Sequence, residues 1–267
     1  MLSMRAKSLL AAAAGVLLAL PALAQPAPTA PTLDDLIAKH LAARGGKEKI
    51  AAVQTARATG KMTMGPMEVP FVLEWKAPNH MRQEFTVQGK SGVRAYDGST
   101  GWSYMPIMGK ADPERMAEEE TADMAQEADL MEGPLFNYQQ KGHQVRLVGK
   151  KELEGTDAYE LEITLKNGDV VHEYLDAESF LTIQEESKHK QGDQEVEVVT
   201  SIGNYQSVDG LMLPFSMSSQ LKGAPAGAGG QTITVDKYEL GGAVDDARFA
   251  FPAAAPKPAA ETKPPGA

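Results

Sequence analysis

A chain of 267 residues with no cysteine, 36 Asp+Glu against 26 Lys+Arg and a formal net charge of −10 excludes several classes of protein. Disulfides cannot contribute to its stability, and an acidic surface repels nucleic-acid phosphates and anionic headgroups alike, so no nucleic acid partner and no electrostatic membrane docking are expected. The length allows one large all-β domain or two small ones.

Residues 1–24 read as a cleavable export signal. Arg5 and Lys7 give a basic start, residues 9–20 form an unbroken apolar run, and Pro21 leads into Ala22-Leu23-Ala24, a small-x-small motif with cleavage after Ala24. The run is shorter than the roughly 20 residues that span a bilayer. Without a cysteine to acylate, the exported form is expected to be a periplasmic monomer with no stable membrane anchor. Loss of Arg5 and Lys7 makes it two charges more negative than the full chain.

Residues 25–32 are a Pro/Ala-rich flexible leader. Thr32 then caps a helix in which Leu33, Leu36, Ile37, His40 and Leu41 share one stripe. Arg44-Gly45-Gly46 stops it, a second short helix covers 47–53, and strands begin at about Thr55.

The stretch 67–105 organises the chain. Met67, Val69, Phe71, Leu73 and Trp75 alternate with polar positions, and beyond a Pro78-Asn79 turn Met81, Phe85 and Val87 continue the row. Period-2 alternation of this kind builds strands with one dry face. Both Trp of the chain, Trp75 and Trp102, lie in this stretch. Asp112-Pro113 opens a helix expected over 113–131, where Ala117, Thr121, Met124, Ala128 and Met131 make a narrow apolar face among acidic residues. A face of Ala and Met binds its neighbours weakly, which suits a displaceable lid as well as an ordinary surface helix. Residues 133–138 are expected to add a further turn.

The second half is a β-meander over 144–153, 158–166, 170–175, 180–188, 194–205, 211–221 and 232–240. Its turns include Asn167-Gly168, a strong two-residue hairpin signal. Residues 223–230 form a Gly-rich loop, and 253–267 a Pro/Ala/Lys-rich disordered tail. The expected class is mainly β: about a dozen antiparallel strands in one large curved sheet, a single domain over 33–252.

Motifs of catalysis are missing. The five His are scattered and none has metal-ligand spacing. Gly98-Ser99-Thr100-Gly101 reads as a hairpin turn rather than a nucleophile elbow, and the Gly-rich loop has no Lys-Ser/Thr behind it. No enzyme activity, cofactor or metal is expected. Methionine stands out instead: all but Met1 and Met4 of the 13 lie beyond the export signal, several on apolar rows (Met62, Met64, Met67, Met81, Met105, Met108, Met212, Met217). Such flexible thioethers line surfaces that accept variable apolar partners, and also fill cores.

Trp75-Lys76-Ala77-Pro78-Asn79, Arg82, Tyr96-Asp97-Gly98, Trp102 and Pro106, in that order, resemble the outer-membrane lipoprotein-sorting (LolA-like) family. The end, Val244 to Pro252 with its Phe249-Ala250-Phe251, is similar to the family's closing strand. Gly45-Gly46 and Leu175-Asp176-Ala177-Glu178-Ser179-Phe180 look like a less-studied branch of the family. The resemblance spans most of 33–252 and implies an open, incomplete antiparallel β-barrel whose concave side is covered by lid helices, without cofactor or catalytic residue. It implies a periplasmic carrier or chaperone that binds lipoprotein acyl chains or other lipids for transfer toward the outer membrane, with an inner-membrane export complex and an outer-membrane receptor as partners.

On that reading the hydrophobic lining is Phe71, Leu73, Trp75, Met81, Phe85, Tyr96, Trp102 and Tyr104, and the lid carries Met116, Met124 and Met131. Arg82, on the other face of its strand from Met81 and Phe85, stays outside. A lipid-binding envelope-stress sensor on the same fold, an orphan binding domain and a hydrolase are the alternatives.

Overall fold

The computed structural model describes residues 30–252 apart from 111, 192–193 and 226–229. The expectations for the export signal, most of the leader, the tail and the middle of the Gly-rich loop fall outside the described residues.

Two helices open the domain, α1 (Leu33–Ala43) and α2 (Lys47–Ala52). The first starts on a capping box, in which the Thr32 hydroxyl accepts from the Asp35 N–H and the Asp35 carboxylate accepts from the Thr32 N–H. Its predicted stripe buries Leu36, Ile37, His40 and Leu41. Gly45 follows at φ +117°, and a Cβ there would lie 2.4 Å from the Gly210 carbonyl, so only glycine lets the helix end meet the sheet so closely.

Strands β1 (Thr55–Met64), β2 (Met67–Lys76), β3 (His80–Val87), β4 (Lys90–Tyr96) and β5 (Gly101–Tyr104) follow as a meander. Then come β6 (Glu114–Arg115), helix α3 (Glu118–Glu127), and β7 (Gln144–Leu153), β8 (Thr156–Thr164), β9 (Val170–Asp176), β10 (Thr182–Gln191), β11 (Gln194–Val208), β12 (Leu211–Leu221) and β13 (Gln231–Leu240). All pair antiparallel in one 13-stranded sheet of order β6-β5-β4-β3-β2-β1-β13-β12-β11-β10-β9-β8-β7. β6 and β7 are its two edges and do not pair, so the barrel is open. The sheet nevertheless curls: Leu161, Ile163 and Leu175 near one edge meet Ala56 and Trp75 of β1 and β2 in one cluster, bridged by Leu36, Leu41, Ile50, Met131, Leu135 and Phe136. The face turned toward these helices is the inner face.

Three expectations are corrected. α3 covers 118–127 rather than 113–131, because Glu114 and Arg115 pair with Ser103 and Trp102 as a strand and the helix starts only after Met116 N–H has bonded to Gly101. Residues 133–138 are turns, not helix, with Gly133 at φ +74°. The segment 244–252 joins no ladder. It crosses the outer face as a strap containing one 3₁₀ turn, Asp246–Arg248, tied down where the Trp102 indole donates to the Phe249 carbonyl (2.7 Å).

Candidate functional site: the inner face of the sheet

Cross-strand register assembles the inner face into rows. One row runs Ala56, Trp75, Met81, Tyr96, Gly101. The next joins Ala58 to Leu73, and another runs Val235, Gly60, Phe71, Phe85, Gly92. Beyond it lie Ile202, Met217, Ile233, Met62 and Val69. The glycines in these rows have a purpose. A Cβ on Gly92 would stand 2.4 Å from the Phe85 ring, and one on Gly60 would meet Phe71 at 3.0 Å, so both rings pack where only bare backbone leaves room. Phe71, Phe215, Val235 and Ala58 form a buried floor, with Phe85, Met217 and Ile233 half-buried around it.

The lid covers the row at the other end of the strands. Met124 and Ala128 are fully buried against Met81 and Tyr96, and Met116 packs beside them over Gly101. Among the described residues, three polar ties hold the lid. The Trp75 indole N–H donates to the Ala128 carbonyl at 2.7 Å, Arg94 meets Glu127 at 3.3 Å, and the Gln126 amide reaches Asp169 in the β8–β9 turn at 3.0 Å. The chain after the helix is clamped by Arg44, which donates to the Met131 and Glu132 carbonyls (2.6 and 2.7 Å), and by Lys141, which pairs with Asp129 and Glu132. Burial lowers the pKa of Arg44, opposed by the charges of Glu173, Tyr205 and Asp129, and it raises the pKa of Asp129, opposed by Lys141.

The expected lining residues thus divide. Phe71, Leu73 and Phe85 lie on the inner face as floor and wall. Met81 and Tyr96 share that face under α3. Trp75 is 3 % exposed in the packed core and serves as an anchor for the lid backbone. Trp102 and Tyr104 are corrected to the outer face: they pair with Ala95 and Val93, whose side chains point away from Tyr96. There they pack with Val93, Ala95 and Phe251, and they line a groove of about 610 Å³ beneath the strap, bordered by Arg82, Arg248 and Pro252. Arg82 is outside the inner face, as its alternation requires. Of the lid residues, Met116 and Met124 touch the inner face, whereas Met131 lies past the helix end in the core cluster beside α1. Sequence reasoning missed Phe215, Ile233 and Val235; the even spacing of Leu211, Leu213, Phe215 and Met217 was the available signal.

The Gly98–Thr100 segment is a turn. The Asp97 carboxylate accepts from the backbone N–H of Ser99 and of Thr100, which, together with the Ser99 and Thr100 hydroxyls, outweighs burial and lowers its pKa.

No protein-family model matches the sequence, and no curated protein is significantly similar to it. Solved structures do match. A Vibrio parahaemolyticus domain described as an outer-membrane lipoprotein-sorting protein superposes with a TM-score of 0.55 at 14% identity, covering 80% of this chain and 94% of its own. A LolA-superfamily protein of Nitrosomonas europaea gives 0.55 at 13% identity over 83% and 98% of the two chains. The fold is LolA-type. A DUF1329-family protein of Desulfovibrio piger shares it too, with a TM-score of 0.55 at 14% identity over 82% and 97%. In LolA-type terms, the open sheet is the incomplete barrel and α1–α3 are the covering helices. Among the described residues no helix is long and apolar enough to cross a membrane.

Proposed function

We propose that this LolA-type chain is an exported, non-catalytic carrier that shelters the acyl chains of lipoproteins or other lipids on its inner face during transfer toward the outer membrane. One observation carries the reading: an apolar floor (Phe71, Phe85, Phe215, Met217, Ile233) lies beside a helix that buries only Met124 completely, with its C-cap Ala128. Binding a 16-carbon chain from water gains on the order of 12 kcal/mol, at about 0.8 kcal/mol per CH₂. Extracting the same chain from a bilayer gains almost nothing, because lipid is equally apolar. A carrier therefore needs a wall that matches the membrane without greatly exceeding it, and soft thioethers under a lightly held lid meet that need. The donor and acceptor would be an inner-membrane export complex and an outer-membrane receptor.

Native mass spectrometry of protein taken from its own periplasm, without a delipidation step, tests the reading. Co-purified lipid or lipoprotein is expected on the wild type and is expected to disappear in Phe85→Glu, which places a charge on the half-buried floor. Repeatedly empty wild-type protein, or a Phe85→Glu variant loaded as fully as the wild type, overturns it.

A further inference from the structure

The inner face is not apolar throughout. Following the register from β8 toward β2, one row reads Leu161, Glu173, Glu185, Thr200, Ser219, Gln231, Met64. Five consecutive strands thus place a polar side chain in the same row, directly beside the apolar row of Ile202, Met217, Ile233 and Met62. A sheet that needed only to hold hydrocarbon would carry apolar residues there, since uncompensated polar groups at a dry wall cost stability.

The two carboxylates are the telling members. Glu173 and Glu185 are direct cross-strand neighbours, an arrangement in which like charges destabilise the sheet. Glu173 is buried and accepts from the Thr182 hydroxyl at 3.2 Å, with the Arg44 charge nearby. Glu185 has no hydrogen-bond or ion-pair partner among the described residues, and burial alone pushes its carboxyl upward. It keeps partial exposure, and its register directs that exposure to the inner face. Thr200, its neighbour on β11, is already bonded to Ser219 at 2.9 Å. The charged groups that bear on the pair are Arg44 at the end of α1 and Asp129 after α3. Of these, only Arg44 is cationic, and two of its five N–H groups are taken by the Met131 and Glu132 carbonyls.

We infer that this polar row is a headgroup subsite: Glu185, backed by Glu173, receives the ammonium of an amine-bearing amphiphile whose chain lies over Met217, Ile233 and Phe85. The inference rests on the carrier reading and narrows its cargo to molecules with a free amine close to their hydrocarbon. An ammonium supplies what the row lacks, a donor-only cation beside the unpartnered Glu185 carboxyl. Bound at Glu185 it makes a charge-assisted hydrogen bond, the stronger kind. Amphiphiles with a carboxylate head are disfavoured there by like charge.

Calorimetric titration of the full-length exported protein with decylammonium, decanoate and decan-1-ol, three heads on one chain length, tests it. The wild type should bind decylammonium at least about tenfold more tightly than either of the others, the scale of one charge-assisted hydrogen bond. Glu185→Gln, isosteric and uncharged, should abolish that preference while keeping a cooperative urea unfolding transition, which reports that the variant is folded. Equal affinity of the wild type for all three heads, or a preference that survives in Glu185→Gln, overturns the headgroup assignment and leaves the carrier reading intact. Failure of all three to bind overturns the carrier reading itself.

Discussion

Replacing Trp75 by phenylalanine isolates the tie between lid and barrel. The indole is 3 % exposed, and its N–H donates to the Ala128 carbonyl at 2.7 Å in buried surroundings. Phenylalanine keeps most of the apolar contact with the core cluster but leaves that carbonyl unpaired, which costs about 1–3 kcal/mol. The remaining attachments are modest. Met124 contributes about 1.5–3 kcal/mol by burial, and the half-exposed Arg94–Glu127 pair and the exposed Gln126–Asp169 bond contribute up to about 1 kcal/mol each. The lost bond is therefore a large share of what holds α3, and opening should become roughly 5–150 times more frequent at 1.4 kcal/mol per tenfold. Hydrogen exchange followed by mass spectrometry reads this directly. Amides of residues 118–130 should lose protection by that factor, while those of β12 and β13 lose much less. An equal loss across α3 and the sheet would refute the reasoning, because α3 would then have no opening of its own.

Two further outcomes follow from the same structure. Burial, and after it the Glu185 charge, pushes the Glu173 carboxyl from 4.5 up to about 7, so the folded state holds the proton more tightly than the unfolded one. That contribution is complete below pH 4.5 and is lost as pH rises through 7, by about 3 kcal/mol at most. His40 has the opposite sign. Burial first, then the Arg44 charge, lowers its pKa from 6.5 to about 4, so its contribution is present above 6.5 and lost as pH falls through 4. Urea denaturation across pH should show stability rising more steeply with pH in Glu173→Gln than in the wild type between about 4.5 and 6.5; an unchanged slope would show that Glu173 is ionised in the fold. On the outer face, Phe249 is the strap's fully buried residue and packs beside His80. Phe249→Ala should lower the unfolding free energy by about 3–5 kcal/mol, and a loss under 1 kcal/mol by urea denaturation would show that the strap is not integral to the domain.

The alternation in 67–88 was enough to place Phe71, Leu73, Trp75, Met81 and Phe85 on one face, because those strands have one polar and one apolar side and period 2 then has a single solution. The stripe and caps of α1 were equally local, as were the hairpin turns after Asp97 and Leu165. The face of Trp102 and Tyr104 was not local. The apolar side of β5, Trp102 and Tyr104, faces outward with Val93 and Ala95 of β4, since a strap some 150 residues later covers that surface, while Gly101 and Ser103 face inward. Alternation within β5 cannot say which side is which, and only the register Ala95 to Trp102 decides it. α3 shortened for a similar reason: Glu114 and Arg115 are adequate helix formers, but the unpaired edge of β5 offered their backbone groups partners that a helix N-terminus would have left to water. The polar row from Glu173 to Gln231 exists in no stretch of sequence at all. Each member is one unremarkable polar residue in its own strand, and the row appears only when five strands are hydrogen-bonded side by side. The sequence alone determined which side chains share a face within each strand; the pairing of strands decided which faces met to form the floor, the lid contact and the headgroup row.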